Sequence, residues 1–231
     1  MPGGGVVGTG AHRGLSPSAR AGEAVTVRRE TLVDADGILC DTRVSAAIAP
    51  AIERGPLGAV KGIIVHQTGG ATAQSALDSY RQPGANGAHF LIDKDGAIYQ
   101  TASLHRRTWH VGKLKARCLV EQRCTPVEIQ AYRRFDPTAM NRRESLKSVP
   151  GRFPSNADSI GIELVGQAVA RDPAQPAGEL VYEAVTDQQN ASLTWLVAQL
   201  TRLLAVPMSE VFRHPDVSWK NPSEASTARW Q

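Results

Sequence analysis

No uninterrupted apolar stretch in the 231 residues approaches the roughly 18 needed to cross a bilayer, so no membrane-spanning helix is expected. Cysteine is scarce: Cys40, Cys118 and Cys124 are too few and too irregularly spaced for a disulfide framework or a four-cysteine metal site. Cys118 and Cys124 are near enough to close a small loop in an oxidising compartment, and free thiols fit the sequence equally well. Aromatic residues make up only 5%, with no zinc-finger, basic-helix or stacked-aromatic pattern. The formal charge of +4 and pI near 9.1 therefore suit an anionic partner without implying nucleic acid. The start, MPGGGVVGTGAHRGLSPSARAGEA, lacks the apolar centre of a secretory signal, which predicts synthesis in the cytoplasm without ordinary export. Residues 1–30 read as a flexible arm and 31–231 as one domain, long enough to bury a core unaided. No internal repeat is visible.

What is present is a series of short, well-punctuated elements. Gly62 to His66 is β-branched, short and followed by a Gly-rich turn, which predicts a buried strand. Ser75 to Gln82 suits a short helix stopped by Pro83 and Gly84. In AHFLIDKDGAIYQ, strands over His89–Ile92 and Ala97–Gln100 flank an Asp95-Gly96 turn. SIGIELVG alternates, with Ile160, Ile162 and Leu164 on one face and Ser159, Gly161, Glu163 and Val165 on the other. A carboxylate in mid-strand among apolar neighbours is costly without a partner, so Glu163 either lies on a solvated face or has a use. Thr186 to Gln189 forms a capping box ahead of a core helix with the stripe Leu193, Leu196, Val197, Leu200, Leu203 and Leu204. Residues 113–156 are a basic stretch that reads as a surface insertion, either a solvated face or a lip for an acidic ligand.

Two histidines stand out. His66 ends the first strand and His214 lies far downstream in FRHPDVSWKNPSE, so folding could bring most of a zinc site together.

IIVHQTGG, AHFLIDKDGAIYQ, RTWHVG, NADSIGIELVG and a final H…K…E segment occur in this order between about Lys61 and Ala225. In this the chain resembles the zinc-dependent N-acetylmuramoyl-L-alanine amidases, the amidase-2 family that also contains the peptidoglycan recognition proteins. The resemblance implies an α/β fold: a central mixed β-sheet flanked by helices, with a groove over the sheet that holds a zinc ion, here carrying the basic insertion. It assigns His66 and His214 as two metal ligands. The family's third ligand, cysteine or aspartate, has no counterpart at the expected place. Glu224, ten residues after His214, is taken for that role ahead of Asp216, which could instead orient His214.

The same resemblance implies that Glu163 takes a proton from the attacking water and that Lys220 stabilises the oxyanion. Trp109 and His110 match a pair that lines the groove and holds substrate, and His89 is expected in the groove wall. His12 and His105 carry no assignment. The implied reaction is cleavage of peptidoglycan between N-acetylmuramic acid and L-alanine. The alternative is a recognition module that binds peptidoglycan without cutting it, as family members lacking a ligand do. The basic insertion and the arm suggest a cell-wall-degrading antibacterial effector of type VI secretion more than a recycling enzyme or a lysin. Such an effector would act in the periplasm or cell wall of a target bacterium, with a component of the secretion apparatus and a periplasmic immunity protein as partners.

Overall fold

The computed structural model describes residues 1–5, 32–175 and 178–231. The chain divides into two units, Met1–Glu30 and Thr31–Gln231. Beyond its first five residues, the arm expected over 1–30 lies outside the described residues. Within the second unit the strands are β1 (Leu32–Val33), β2 (Leu39–Cys40), β3 (Val44–Ala46), β4 (Gly62–Gly69), β5 (Phe90–Ile92), β6 (Ile98–Gln100), β7 (Ser159–Ala170), β8 (Leu180–Tyr182) and β9 (Val211–Arg213). The helices are α1 (Ala73–Tyr80), α2 (Arg117–Val120), α3 (Pro126–Tyr132), α4 (Pro137–Glu144), α5 (Asp187–Leu203) and α6 (His214–Val217).

Strands pair in the order β3-β6-β5-β7-β4-β9, with β8 added to the end of β7. β4 is parallel to both β7 and β9, β5 is parallel to β7, and β5 and β6 form the expected antiparallel hairpin. The sheet is therefore mixed, and the central strands are buried on both faces, which is why β4 reads as an apolar run rather than an alternating one. One face packs on α5: Leu193, Leu196, Val197 and Leu200 join Ile63, Val65, Phe90, Ile92, Ile160, Ile162 and Leu164. The helix is positioned by its capping box, and the buried Gln189 amide also donates to the carbonyls of Ile92 and Val165, tying the first turn to the end of β5 and the middle of β7.

The other face is covered in two places. At one side α1 lays Ala73, Ala76 and Leu77 on Leu91 and Val165. At the other, Val111, Leu114, Phe153 and Val217 cover Ile64. The basic stretch is thus more than a surface insertion, because residues from it form part of this layer. It also has a small core of its own, Ala116, Cys118, Tyr132 and Met140, closed by a Cys118–Cys124 disulfide. Many of its charges are consumed internally. The buried Arg117 guanidinium donates to both Glu210 oxygens at 2.8 and 2.9 Å, Lys147 pairs with Glu128 and Glu144, and Arg152 pairs with Asp158. No helix is long and apolar enough to cross a membrane among the described residues.

Arg117 and Glu210 are each 6% exposed, and because Arg117 also pairs with Glu121 it is removal of the arginine that strands a charge, the Glu210 carboxylate, in the interior. Arg117→Ala is expected to cost about 3–5 kcal/mol of unfolding free energy in urea denaturation. A loss below about 1 kcal/mol, the range of an exposed pair, would show that this ion pair does not anchor the insertion.

Candidate metal centre and active site

The register of the sheet builds the site. His66 in β4 lies opposite Glu163 in β7, and Glu163 lies opposite Leu91 in β5, so the three side chains share a face. Val65 pairs with Arg213 in β9, which places His214, the next residue, beside His66. The two imidazole centroids are 4.1 Å apart. Glu224 completes a triad whose potential ligand atoms all lie within 4.8 Å of one another: its Oε1 is 2.9 Å from His214 Nδ1 and 3.7 Å from His66 Nδ1. All three residues are at most 5% exposed.

The turn carrying Glu224 is held at several points. Ala225 N–H donates to Gln67 Oε1, and the Arg213 guanidinium donates to the carbonyls of Ala225 and Ala228. Asn221 Nδ2 donates to the Leu180 carbonyl and the Ser223 hydroxyl accepts from Tyr182 N–H, joining the turn to β8.

The donor set suits a cation. His214 Nε2 lies 2.8 Å from the Val111 carbonyl, which can only accept, so this nitrogen carries a proton and neutral His214 turns the Nδ1 lone pair to Glu224. A similar relay fixes His66. The Ser159 hydroxyl donates to the Ser155 carbonyl and accepts from His110 Nε2, and His110 Nδ1 then accepts from His66 Nε2 at 2.9 Å. His66 Nδ1 is left as a lone pair facing Glu224. Two lone pairs and a carboxylate converging in a buried space call for positive charge between them, and two imidazoles with one carboxylate are a zinc-type donor set. Burial first, then the neighbouring His214, lowers the His66 pKa to about 4, which keeps the imidazole neutral. Burial alone would raise Glu224; only protons on the facing nitrogens of His214 and His66, with their hydrogen bonds and charge, would hold its carboxyl near a pKa of about 2, which is the part a cation would take between neutral rings.

Glu163 is the contrasting carboxyl. Its Oε2 is enclosed and has no hydrogen-bond partner, and burial, reinforced by the charge of Glu224 and opposed by Lys220, raises the pKa to about 8. Lys220 is exposed and lines the same groove, a cavity of about 540 Å³ that also contains Trp109, Asn156 and Tyr182. Trp109 is 52% exposed, with the Arg54 guanidinium 4.7 Å from its ring centre.

Two expectations change, and a third residue gains a second task. His110 borders the groove as expected, and both its ring nitrogens are engaged inside the protein, which lets it orient His66. Gly161 makes this possible, since a Cβ there would lie 2.8 Å from the His110 ring. His89 is fully buried and outside the groove: its Nδ1 accepts from Gly161 N–H and its Nε2 donates to the Arg106 carbonyl, supplying a backbone partner where β5 has not yet begun. Asp216 is exposed and accepts from Arg213 N–H, so it caps α6 and does not orient His214, whose partner is the Val111 carbonyl. Sequence reasoning also missed Asn156, whose Oδ1 accepts from the backbone N–H groups of His110 and Val111, and Tyr182. Asn156 opens the quoted NADSIGIELVG motif and could have been suspected there, whereas Tyr182 carries no sequence signal.

The family described as N-acetylmuramoyl-L-alanine amidase matches residues 56–227, and the chain belongs to this family, amidase-2. No curated protein matches the sequence. Among solved structures, the chain is similar to an endolysin N-acetylmuramoyl-L-alanine amidase, LysCS, from Clostridium intestinale, at 19% identity over 76% of this chain and 84% of that one, with a TM-score of 0.42. It is also similar to the catalytic domain of XlyA, at 19% identity over 77% and 87% with a TM-score of 0.47. A third similar structure is Drosophila peptidoglycan recognition protein SD, at 14% identity over 81% and 91% with a TM-score of 0.41.

The buried histidines set a pH dependence for the metal-free protein. Burial lowers the pKa of His66 and His89 to about 4 and that of His110 well below its ordinary value. The unfolded chain therefore takes up protons on all three as pH falls below 6.5, while the folded chain does not. Glu163, raised to about 8, acts in the opposite sense above 4.5 but is a single group against three. Chemical denaturation at a series of pH values should show stability falling steadily from pH 6.5 towards 4.5. A flat or rising profile in that window would contradict the buried, neutral assignment of these rings.

Proposed function

We propose that this protein is a zinc-dependent hydrolase of the amide bond between N-acetylmuramic acid and L-alanine in peptidoglycan. The single observation that carries this reading is the convergence of His66, His214 and Glu224 in a groove whose floor also holds the partnerless carboxyl of Glu163. Membership of the amidase family supplies the class of bond. A carboxyl with one oxygen enclosed and unpartnered is costly and has no evident use in a module that only binds, which favours the enzyme.

His66, His214 and Glu224 would hold the ion. Zinc bound there would polarise the scissile carbonyl and acidify the attacking water. Positive charge at the triad would favour ionised Glu163, which then takes a proton from that water and returns it to the departing amine of L-alanine. The Lys220 ammonium, exposed in the groove wall, would stabilise charge developing on the carbonyl oxygen. His110, anchored by Ser159, keeps the His66 ring in the ligating tautomer, and Trp109 gives the substrate a flat wall.

Glu163→Gln should retain stoichiometric zinc while hydrolysis falls by about 10²–10⁴-fold, read as stem peptide released from sacculi by mass spectrometry. Lys220→Ala should likewise reduce turnover more than zinc affinity. Zinc-loaded wild-type protein that releases no stem peptide would refute the assignment.

The same proposal extends to the setting: an antibacterial effector, delivered by a type VI secretion apparatus to the periplasm of a rival cell and neutralised in its producer by a periplasmic immunity protein. The Cys118–Cys124 disulfide supports action in an oxidising compartment. Expression with a periplasmic signal should lyse a susceptible Gram-negative host, and cytoplasmic expression should not. Equal tolerance of both forms would exclude this role.

A further inference from the structure

The basic stretch holds a second cluster of metal-ligating atoms, apart from the groove. Cys118, Cys124 and Glu128 each offer one donor atom, and the three atoms lie within 4.8 Å of one another. None of the three is among the residues that line the groove of His66, His214 and Glu224. In the oxidised chain the two sulfurs are joined to each other, so both become donors when that bond is reduced. Cys118 is 2% exposed and rooted against Ala116, Tyr132 and Met140, whereas Cys124 and Glu128 are half-buried and open to solvent, where a reductant or an ion arrives.

Backbone structure gathers these donors as well as the sulfur bond does. Cys118 lies in α2, and the chain turns back directly after it: Glu121 N–H donates to the Arg117 carbonyl, Gln122 N–H to that of Leu119 and Arg123 N–H to that of Cys118. Gln122 has a φ of 54°, the left-handed conformation that lets so short a loop reverse. Cys124 is thereby returned beside Cys118. The next residue, Thr125, caps α3, and the capping box draws the Glu128 carboxylate back onto Thr125 N–H at 2.9 Å, next to Cys124. Glu128 Oε2 accepts from both the amide and the hydroxyl of Thr125, while Oε1 accepts from Lys147 Nζ at 3.0 Å and keeps a second lone pair for a cation.

We infer that the reduced chain holds a divalent ion of the zinc type between Cys118, Cys124 and Glu128, and that oxidation exchanges this ion for the disulfide. Two thiolates and a carboxylate are donors that zinc accepts. The exchange balances. A dithiol reductant gives two electrons and two protons to the sulfur pair and leaves as its own disulfide; the ion then displaces both thiol protons and binds the sulfurs as thiolates. In the reverse direction a disulfide oxidant takes two electrons from the thiolates, the S–S bond forms and the ion departs. Ion and bond close the same loop, so the small core of Ala116, Tyr132 and Met140 keeps its crosslink in a reducing compartment and in an oxidising one. The site stands independently of the amidase reading.

The test titrates cobalt(II), a spectroscopic stand-in for zinc, into metal-free protein prepared either oxidised or reduced with a phosphine. The reduced protein should take up one equivalent more than the oxidised protein and show a thiolate-to-cobalt charge-transfer absorption that the oxidised protein lacks. Cys124→Ser should abolish the extra equivalent and leave the uptake seen in the oxidised wild-type protein unchanged. Cys40→Ser, which removes the exposed free thiol, should alter neither. Glu128→Gln, which keeps a capping side chain, should weaken the extra site by about tenfold or more. Circular dichroism should show all three variants folded, and the comparison of the two redox forms needs no variant. Equal uptake by both redox forms, an absorption that keeps its full strength in Cys124→Ser or is lost in Cys40→Ser, or unchanged affinity in Glu128→Gln would each overturn the assignment.

Discussion

The parallel pairing of β4 with β7 on one side and β9 on the other is the constraint from which the site follows. Because strands in register present matched residues to the same face, His66 and Glu163 become neighbours without any loop having to place them. The β4–β9 pairing sets His214 just past the end of a short strand, beside His66. Three of the four key groups are thus fixed by backbone hydrogen bonds in the most buried part of the molecule. Only Glu224 depends on an irregular segment, and that segment carries more anchoring bonds to the body than its length would suggest.

A second constraint is electrostatic. The centre of the molecule buries several ionisable side chains, and their arrangement drives the two carboxyls apart: the imidazole pair around Glu224 favours its charge once a proton or a cation lies between them, whereas Glu163 has an enclosed, unpartnered oxygen and favours its proton. A pair of like groups pushed to opposite protonation states is a common device for dividing the work of binding and proton transfer. The histidines are sorted just as sharply. His89 serves the backbone of β7, His110 serves His66, and His66 and His214 face Glu224.

Much of the fold was legible in the sequence because its elements carry local punctuation. The Asp95-Gly96 turn, the Thr186–Gln189 capping box and the β-branched run before His66 each reflect a backbone requirement met within a few residues. The candidate metal ligands could be proposed because ordered motifs resemble a family, and the structure brings His66, His214 and Glu224 together. What escaped was long-range and directional. Whether an imidazole such as His110 points outward or towards another ring depends on a vacancy at Gly161, in a strand distant in sequence. The contacts of Asp216 depend on how the first turn of α6 closes, and Tyr182 comes to the groove only because β8 extends β7. The basic stretch misled for a related reason: composition reports charge, but pairings such as Arg117 with Glu210 span 93 residues.

The tether between β8 and the Glu224 turn has a mechanical consequence. Tyr182 forms part of the groove wall, while its backbone nitrogen is bound to Ser223 and the preceding Leu180 carbonyl to Asn221. Entrance wall and Glu224 turn are therefore one lever. A chain leaning on the tyrosine ring would press on the carboxylate that faces both imidazoles, so the fit of the incoming chain and the spacing of that triad would be felt by each other.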